Sequence, residues 1–338
     1  MAVLAMAGLV SLSSCSKDVK SLEAPLKPTT NVLTQGSGRA VVWDVTLPAT
    51  ANSGAMEVTE WVSETGPGDI NVTTTSVDPG YVMVGGGGQV VDPNGNPSAV
   101  DAVLTDASPL DDGSFSTFAA ADKDHGGIVY LSYCYAYVIG IKLFEPSGAA
   151  VPTANIISHL TIYANQVPGP DQPGVDHPVA TIDVPSTNKI ISVGAQDNYG
   201  SGYGNLLTED YYTSSGLATA AGKDQKVADP CSITCYAIAY DGGPISGYGP
   251  NSAGTLSLSY VSSSVAVTQH LQGLSAFIPS TSAVAGVGAV STYTGYGRLL
   301  YGVYSATATS GQFQSKDQDV SDISGALGGI VTGIAPGN

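Results

Sequence analysis

Charge is what this chain has least of. Asp, Glu, Lys and Arg make up 12% of it, against about 25% in an average globular protein. Cations are the scarcer sign: 11 Lys and Arg face 28 Asp and Glu, a formal net charge of −17. Binding phosphates takes basic patches, so this balance argues against a nucleic-acid partner, and equally against charge-driven adhesion to an anionic membrane. Beyond the first residues there is no apolar run of about 18, so no transmembrane helix is expected. Trp (2) and Phe (5) are rare beside Tyr (18), and Gly (42) and Pro (20) are frequent. Little charge with much Gly, Ser, Thr, Val and Tyr suits an extracellular all-β protein better than a cytosolic enzyme.

Catalytic constellations are missing too. No serine sits in Gly-x-Ser-x-Gly, the strained turn that presents a hydrolase nucleophile. The four histidines, His125, His159, His177 and His270, form neither His-x-x-x-His nor His-Glu-x-x-His. Adjacent carboxylates, Asp111-Asp112 and Glu209-Asp210, read as solvated turn or edge residues rather than as a glycosidase pair. The Gly85–Gly88 run lacks the Gly-Lys-Ser/Thr pattern of a phosphate loop. The expectation is a non-catalytic protein with no metal and no cofactor. Weak calcium binding is conceivable at Asp92-Pro93-Asn94-Gly95-Asn96, but Gly at the sixth position and Glu at the twelfth are absent, so Asn94-Gly95 reads as a turn. Setting Cys15 aside, Cys134, Cys231 and Cys235 cannot all pair within the chain. Cys231–Cys235 would need a turn between them, and buried thiols serve as well.

What the chain does have is a stretch that occurs three times. One copy runs from Val193-Gly194 through Gly202-Tyr203-Gly204-Asn205-Leu206-Leu207 and Lys223-Asp224 to Cys235-Tyr236-Ala237 and Tyr240. A second runs from Val287-Gly288 through Gly295-Tyr296-Gly297-Arg298-Leu299-Leu300 and Lys316-Asp317 to Ile334. A third, longer copy runs from Val84-Gly85 through Val103-Leu104 and Lys123-Asp124 to Cys134-Tyr135-Ala136 and Ile141. From Lys to the closing residue is 17, 18 and 18 positions, and several landmarks held in register indicate triplication. Each copy is preceded by strand-like runs, among them Ala40–Leu47, His159–Tyr163, Val179–Val184 and Thr255–Tyr260, with turn residues every eight to twelve positions. No segment makes a convincing helix; Ser321–Thr332 contains Gly325, Gly328 and Gly329 and reads as strand by its place in the repeat. Glycines after each Val fit bulges or close backbone approach. The units are expected at residues 40–142, 143–241 and 242–338, and the fold as all-β, internally triplicated antiparallel structure.

Ahead of the units, Ala2–Val10 is apolar and is followed by Leu12-Ser13-Ser14-Cys15. This resembles the lipobox of a bacterial lipoprotein signal peptide, although no Lys or Arg precedes the apolar run, as if the start had been placed late. The resemblance implies that residues 1–14 are removed, that Cys15 carries lipid, and that 15–39 is a flexible tether. Lys17-Asp18 resembles the export signal of surface lipoproteins in Bacteroidetes-type bacteria, which implies a lipid anchor in the outer membrane with the protein facing outward. The repeat is similar to the β-prism folds of jacalin-like lectins and the vitelline membrane outer layer protein, over the half of each unit from Val-Gly to the closing strand. The alternative architecture is three tandem β-sandwiches.

Two features suggest where a ligand would go. Tyr203 and Tyr296 stand between glycines at matching positions, and a tyrosine has a flat apolar face and a polar tip suited to sugars or proteins. Asp124, Asp224 and Asp317 recur after the repeated lysine, either bonding their own turns or contacting a ligand. The expected function is a lipid-anchored surface binding protein, lectin-like or adhesin, with an extracellular glycan or protein as partner. The alternative is a structural coat protein without a small ligand.

Overall fold

The computed structural model describes residues 38–68, 70–96, 102–123, 131–198, 205–224, 228–293, 298–317 and 324–338. The lipobox with Cys15, together with Asp124, Tyr203 and Tyr296, lies outside them. Among the described residues the fold is all-β, as expected from composition and alternation. Its strands are β1 (Ala40–Leu47), β2 (Met56–Gly68), β3 (Ile70–Ser76), β4 (Val82–Val91), β5 (Val103–Pro109), β6 (Thr117–Lys123) and β7 (Ser132–Leu143). Then follow β8 (Leu160–Val167), β9 (Val179–Asp183), β10 (Lys189–Asn198), β11 (Asn205–Tyr212), β12 (Leu217–Asp224) and β13 (Ser232–Tyr240). The last are β14 (Ile245–Ser246), β15 (Ala253–Gly254), β16 (Leu256–Ala266), β17 (Leu271–Phe277), β18 (Ala283–Thr292), β19 (Arg298–Thr307), β20 (Ser310–Asp317) and β21 (Ala326–Pro336). The short helix α1 (Thr153–Ile157) starts after Pro152, which suits the first turn because it has no N–H to leave unpaired. β21 takes the segment whose composition alone would have allowed a helix.

Three large antiparallel sheets hold nearly all the strands. Their orders are β1-β2-β7-β4-β19-β20-β17, β3-β6-β5-β10-β13-β8 and β16-β21-β18-β11-β12-β9. Leaving β1 aside, the three follow one order. Each takes its first, closing and Val-Gly strands from one unit (β2-β7-β4, β8-β13-β10, β16-β21-β18). The neighbouring unit supplies three more (β19-β20-β17, β5-β6-β3, β11-β12-β9). No large sheet is built from one unit, so the halves of each unit lie in different sheets.

The register of the three Val-Gly strands is set by a turn and a bulge. Tyr81 N–H donates to the Asp78 carbonyl (3.1 Å), Asn188 to Pro185 (2.8 Å) and Ser282 to Pro279 (3.0 Å). Three residues further on, Val84, Ile191 and Ala285 each sit at a bulge where pairing with the closing strand shifts. This corrects the alignment of the first copy. The counterpart of Val193 and Val287 is Gly86, not Val84. Likewise, Cys235 pairs with Ala195 while Ala136 pairs with Gly88, so the counterpart of Cys235 is Ala136 and not Cys134. A slip of two preserves every inward-facing position, because side chains alternate with period two; a pattern match therefore tolerates it, and the bulge does not. A second correction concerns Ala40–Leu47. The strand equivalent to β8 and β16 is β2, and β1 is an extra strand on its outer edge.

Just past the bulges the three sheets approach most closely. A Cβ on Gly85 would overlap the carbonyl oxygen of Ala285 and press on Ser192, and one on Gly286 would overlap the carbonyl oxygen of Ile191. Gly85, Ser192 and Gly286 are equivalent positions, and only Gly or a very small residue fits where three backbones meet. Around this point β4, β10 and β18 are almost wholly buried, and one apolar core spreads through all three sheets.

Candidate functional site

The repeated lysines mark one end of the molecule. Lys123, the last residue of β6, stands opposite Val103, the first of β5. Lys223 stands opposite Leu206, and Lys316 opposite Leu299. Val103, Leu206 and Leu299 pack together with Tyr301, and Leu271 leans on them. Residues directly opposite in an antiparallel pair share a face, so the three lysine side chains rise beside this apolar cluster. The connections β4–β5 and β6–β7, β10–β11 and β12–β13, β18–β19 and β20–β21 consequently all leave from the same end. Asp124 falls in the second of these, Tyr203 in the third and Tyr296 in the fifth.

All three lysines are buried, at 5%, 5% and 4% exposure. Burial holds the Lys123 amine below its ordinary value, while the negative charges of Asp229 and Asp197 pull it back up. Burial lowers Lys223 too, with Asp224 opposing, and its Nζ lies 5.5 Å from the Tyr293 ring centroid. Arg298 is fully buried and ties strands together, its Nη2 donating to the carbonyls of His270 (2.8 Å) and Ser315 (3.1 Å). Four of the chain's 11 basic residues thus gather at this end, among acids that include Asp197, Asp224, Asp229 and Asp317.

Asp224 and Asp317 end β12 and β20 rather than sitting in turns, and both are buried. Asp224 N–H donates to the Asp176 carbonyl (3.0 Å). Burial raises its carboxyl, the Asp229 backbone N–H lowers it, and Asp176 raises it again. Asp317 Oδ1 pairs with His270 Nδ1. The two aspartates brace the strand ends from which the connections spring.

Asp92, the cysteines and several further tyrosines find ordinary work. Asp92 Oδ1 accepts the N–H groups of Asn94 (2.8 Å) and Asn96 (2.6 Å), and Gly95 has φ +80°, so the segment is a side-chain-stabilised turn. Cys134, Cys231 and Cys235 are buried thiols not joined to one another, and Cys231 Sγ donates to Asp197 Oδ1. Tyr212, Tyr248 and Tyr301 are buried packing residues, and Tyr304 stacks on Tyr137 with centroids 5.0 Å apart. Among the described residues, no three His, Cys, Asp or Glu side chains are grouped to hold a metal ion.

Pattern reading missed a second polar group, inside the molecule. Asp106 on β5 and Asp210 on β11 are buried, and Glu209 beside Asp210 is half-buried. Burial pushes the carboxyls of Asp106 and Glu209 up to about 7. Asp210 is raised well above its ordinary value by burial, then by Asp106 and Glu209. Asp106 accepts from Ser108 Oγ (2.6 Å) and Gln196 Nε2 (3.3 Å), whereas Asp210 Oδ1 has no partner. Glu209-Asp210 had looked like a solvated pair because a charged dipeptide carries no mark of which strand will cover it. Compared with models of known protein families and with curated proteins, the chain matches none.

Proposed function

We propose that this chain is a non-catalytic binding protein, held by lipid on Cys15 at the bacterial outer membrane and facing outward, and that it recognises an extracellular glycan. The observation that supports the reading is the single end of the molecule from which six connections leave a braced platform of lysines and apolar residues. Rigid sheets with loops gathered at one end are the usual arrangement of a recognition surface. Two of those connections carry the Gly-Tyr-Gly motifs and a third carries Asp124, so Tyr203 and Tyr296 are the residues proposed to contact a sugar, with Asp124 as a further candidate. Asp224 and Asp317 serve this surface from beneath.

A glycan array on the chain from Ser16 onward, beside Tyr203→Ala plus Tyr296→Ala, tests the reading. Binding to a defined set of glycans that drops at least tenfold in the double variant supports it. A blank array, or binding indifferent to both substitutions, refutes it. A second reading, a structural surface protein that packs with its own kind, is favoured by a different observation, the edge strands β8 and β16, which carry no charged residue.

A further inference from the structure

We infer that two copies of this chain associate edge to edge through β16, joining their third sheets into one continuous antiparallel sheet. The inference is independent of glycan recognition, since β16 lies in another part of the chain from the Gly-Tyr-Gly connections.

The fold itself shows what this kind of edge accepts. β2, β8 and β16 occupy equivalent places in the three sheets. On β2 the outer edge is taken by β1, antiparallel, from Ala40 opposite Val62 to Leu47 opposite Met56. On β8 and β16 the equivalent edge ends the sheet among the described residues. An unpaired edge presents a row of N–H and C=O groups to any passing strand. Natural proteins guard such rows with charge, proline or a bulge. β16 carries none of these: its 11 residues, Leu-Ser-Leu-Ser-Tyr-Val-Ser-Ser-Ser-Val-Ala, pair with β21 without a register shift. β8 is shorter, at 8 residues, and Asn165 on it already bonds the Thr181 carbonyl (2.9 Å) across the corner.

Charge and shape both point to a second copy as the partner. Strands β16, β21 and β18, which form half of this sheet, contain no Asp, Glu, Lys or Arg. In a chain of net charge −17, this is where two copies meet with least repulsion. The sequence of β16 is also complementary to itself. With Val261 on a two-fold axis, Leu256 faces Ala266, Leu258 faces Ser264, Tyr260 faces Ser262, and Ser257 faces Val265. Off the axis each large side chain meets a small one and on it Val261 meets its own copy, so the strand can pair with itself in a closed isologous contact. One pair of strands buries less than a standard interface, so association should be concentration-dependent.

Sedimentation velocity of the full chain over a concentration series, in a Cys15→Ser background, is the test. A dimer that grows with concentration, and that Ser262→Lys weakens at least tenfold, is expected. Ser262 is exposed, so an unchanged melting curve and circular dichroism spectrum will show that the variant still folds. Oxidative cross-linking fixes the register: Val261→Cys should link to itself, whereas Ser257→Cys, which faces position 265, should not. A monomer at every concentration overturns the inference. So does a dimer untouched by Ser262→Lys, or cross-linking at 257 as efficient as at 261. A dimer lost instead on Ala164→Lys in β8, or on deletion of β1, would assign the contact to another edge and equally overturn it.

Discussion

Asp106 lies on a strand with both faces covered, close enough to Asp210 to raise that residue's carboxyl, and itself accepts hydrogen bonds from Ser108 and Gln196. Burial outweighs them and lifts the carboxyl to about 7. A carboxyl raised on folding binds its proton more tightly in the native state, so stability is greatest below the unfolded value of about 4. It falls as pH rises towards 7, and the loss is complete above that. Melting temperature should therefore fall between pH 4.5 and 7.5. Asp106→Asn, which keeps an acceptor for Ser108, should recover on the order of 2–4 kcal/mol at pH 8 and change little at pH 4. Thermal melts of both proteins at the two pH values check this; an Asn variant no more stable at pH 8 would mean that Asp106 is solvated. None of this was legible beforehand. The sequence shows Asp106 as one acid among 28, and whether it is wet depends on strands far away in the chain. The same blindness applied to Tyr212, Tyr248 and Tyr301, whose burial was decided by neighbours beyond local reach.

At the level of strands, much more could be read. Alternation and turn residues located β1 and β9 closely and the first halves of β8 and β16, because side-chain period and turn chemistry are local. Lysine spacing was preserved because Lys123, Lys223 and Lys316 hold the same rung opposite Val103, Leu206 and Leu299. The first copy slipped by two because Gly86-Gly87, where the others read Val-Gly, left Val84-Gly85 as the better match of letters. Bulges, not letters, hold that register. Gly286 follows its bulge, at the point where an added Cβ would strike the Ile191 carbonyl oxygen and Ser192. Backbone cannot yield as a side chain tip does, so Gly286→Ala should cost about 3 kcal/mol or more, at the upper end of overpacking effects. Gly273→Ala, where a Cβ meets nothing within 4 Å, is the control and should cost under about 1 kcal/mol. Denaturant unfolding of the two variants decides it, and equal losses would remove the case for close approach.

For the molecule as a whole, the repeat units are units of sequence and not of folding. Unit two places β8, β10 and β13 in one sheet and β9, β11 and β12 in another. Residues 143–241 expressed alone would leave two half-sheets, each with an interior strand turned into an edge. Such a fragment should lack a cooperative unfolding transition, measurable by circular dichroism on heating, whereas a fragment that melts cooperatively would show the unit to be self-sufficient. The sequence showed three copies but could not show how they share sheets, since pairing between β4 and β19, β10 and β5, or β18 and β11 rests on only two register pairs each. That exchange also changes what it means to break this chain. A protease that cuts between units severs one covalent link, but each piece keeps half its strands woven into its neighbours' sheets. The pieces travel together until denaturant unpicks the weave, so a nicked molecule would remain assembled.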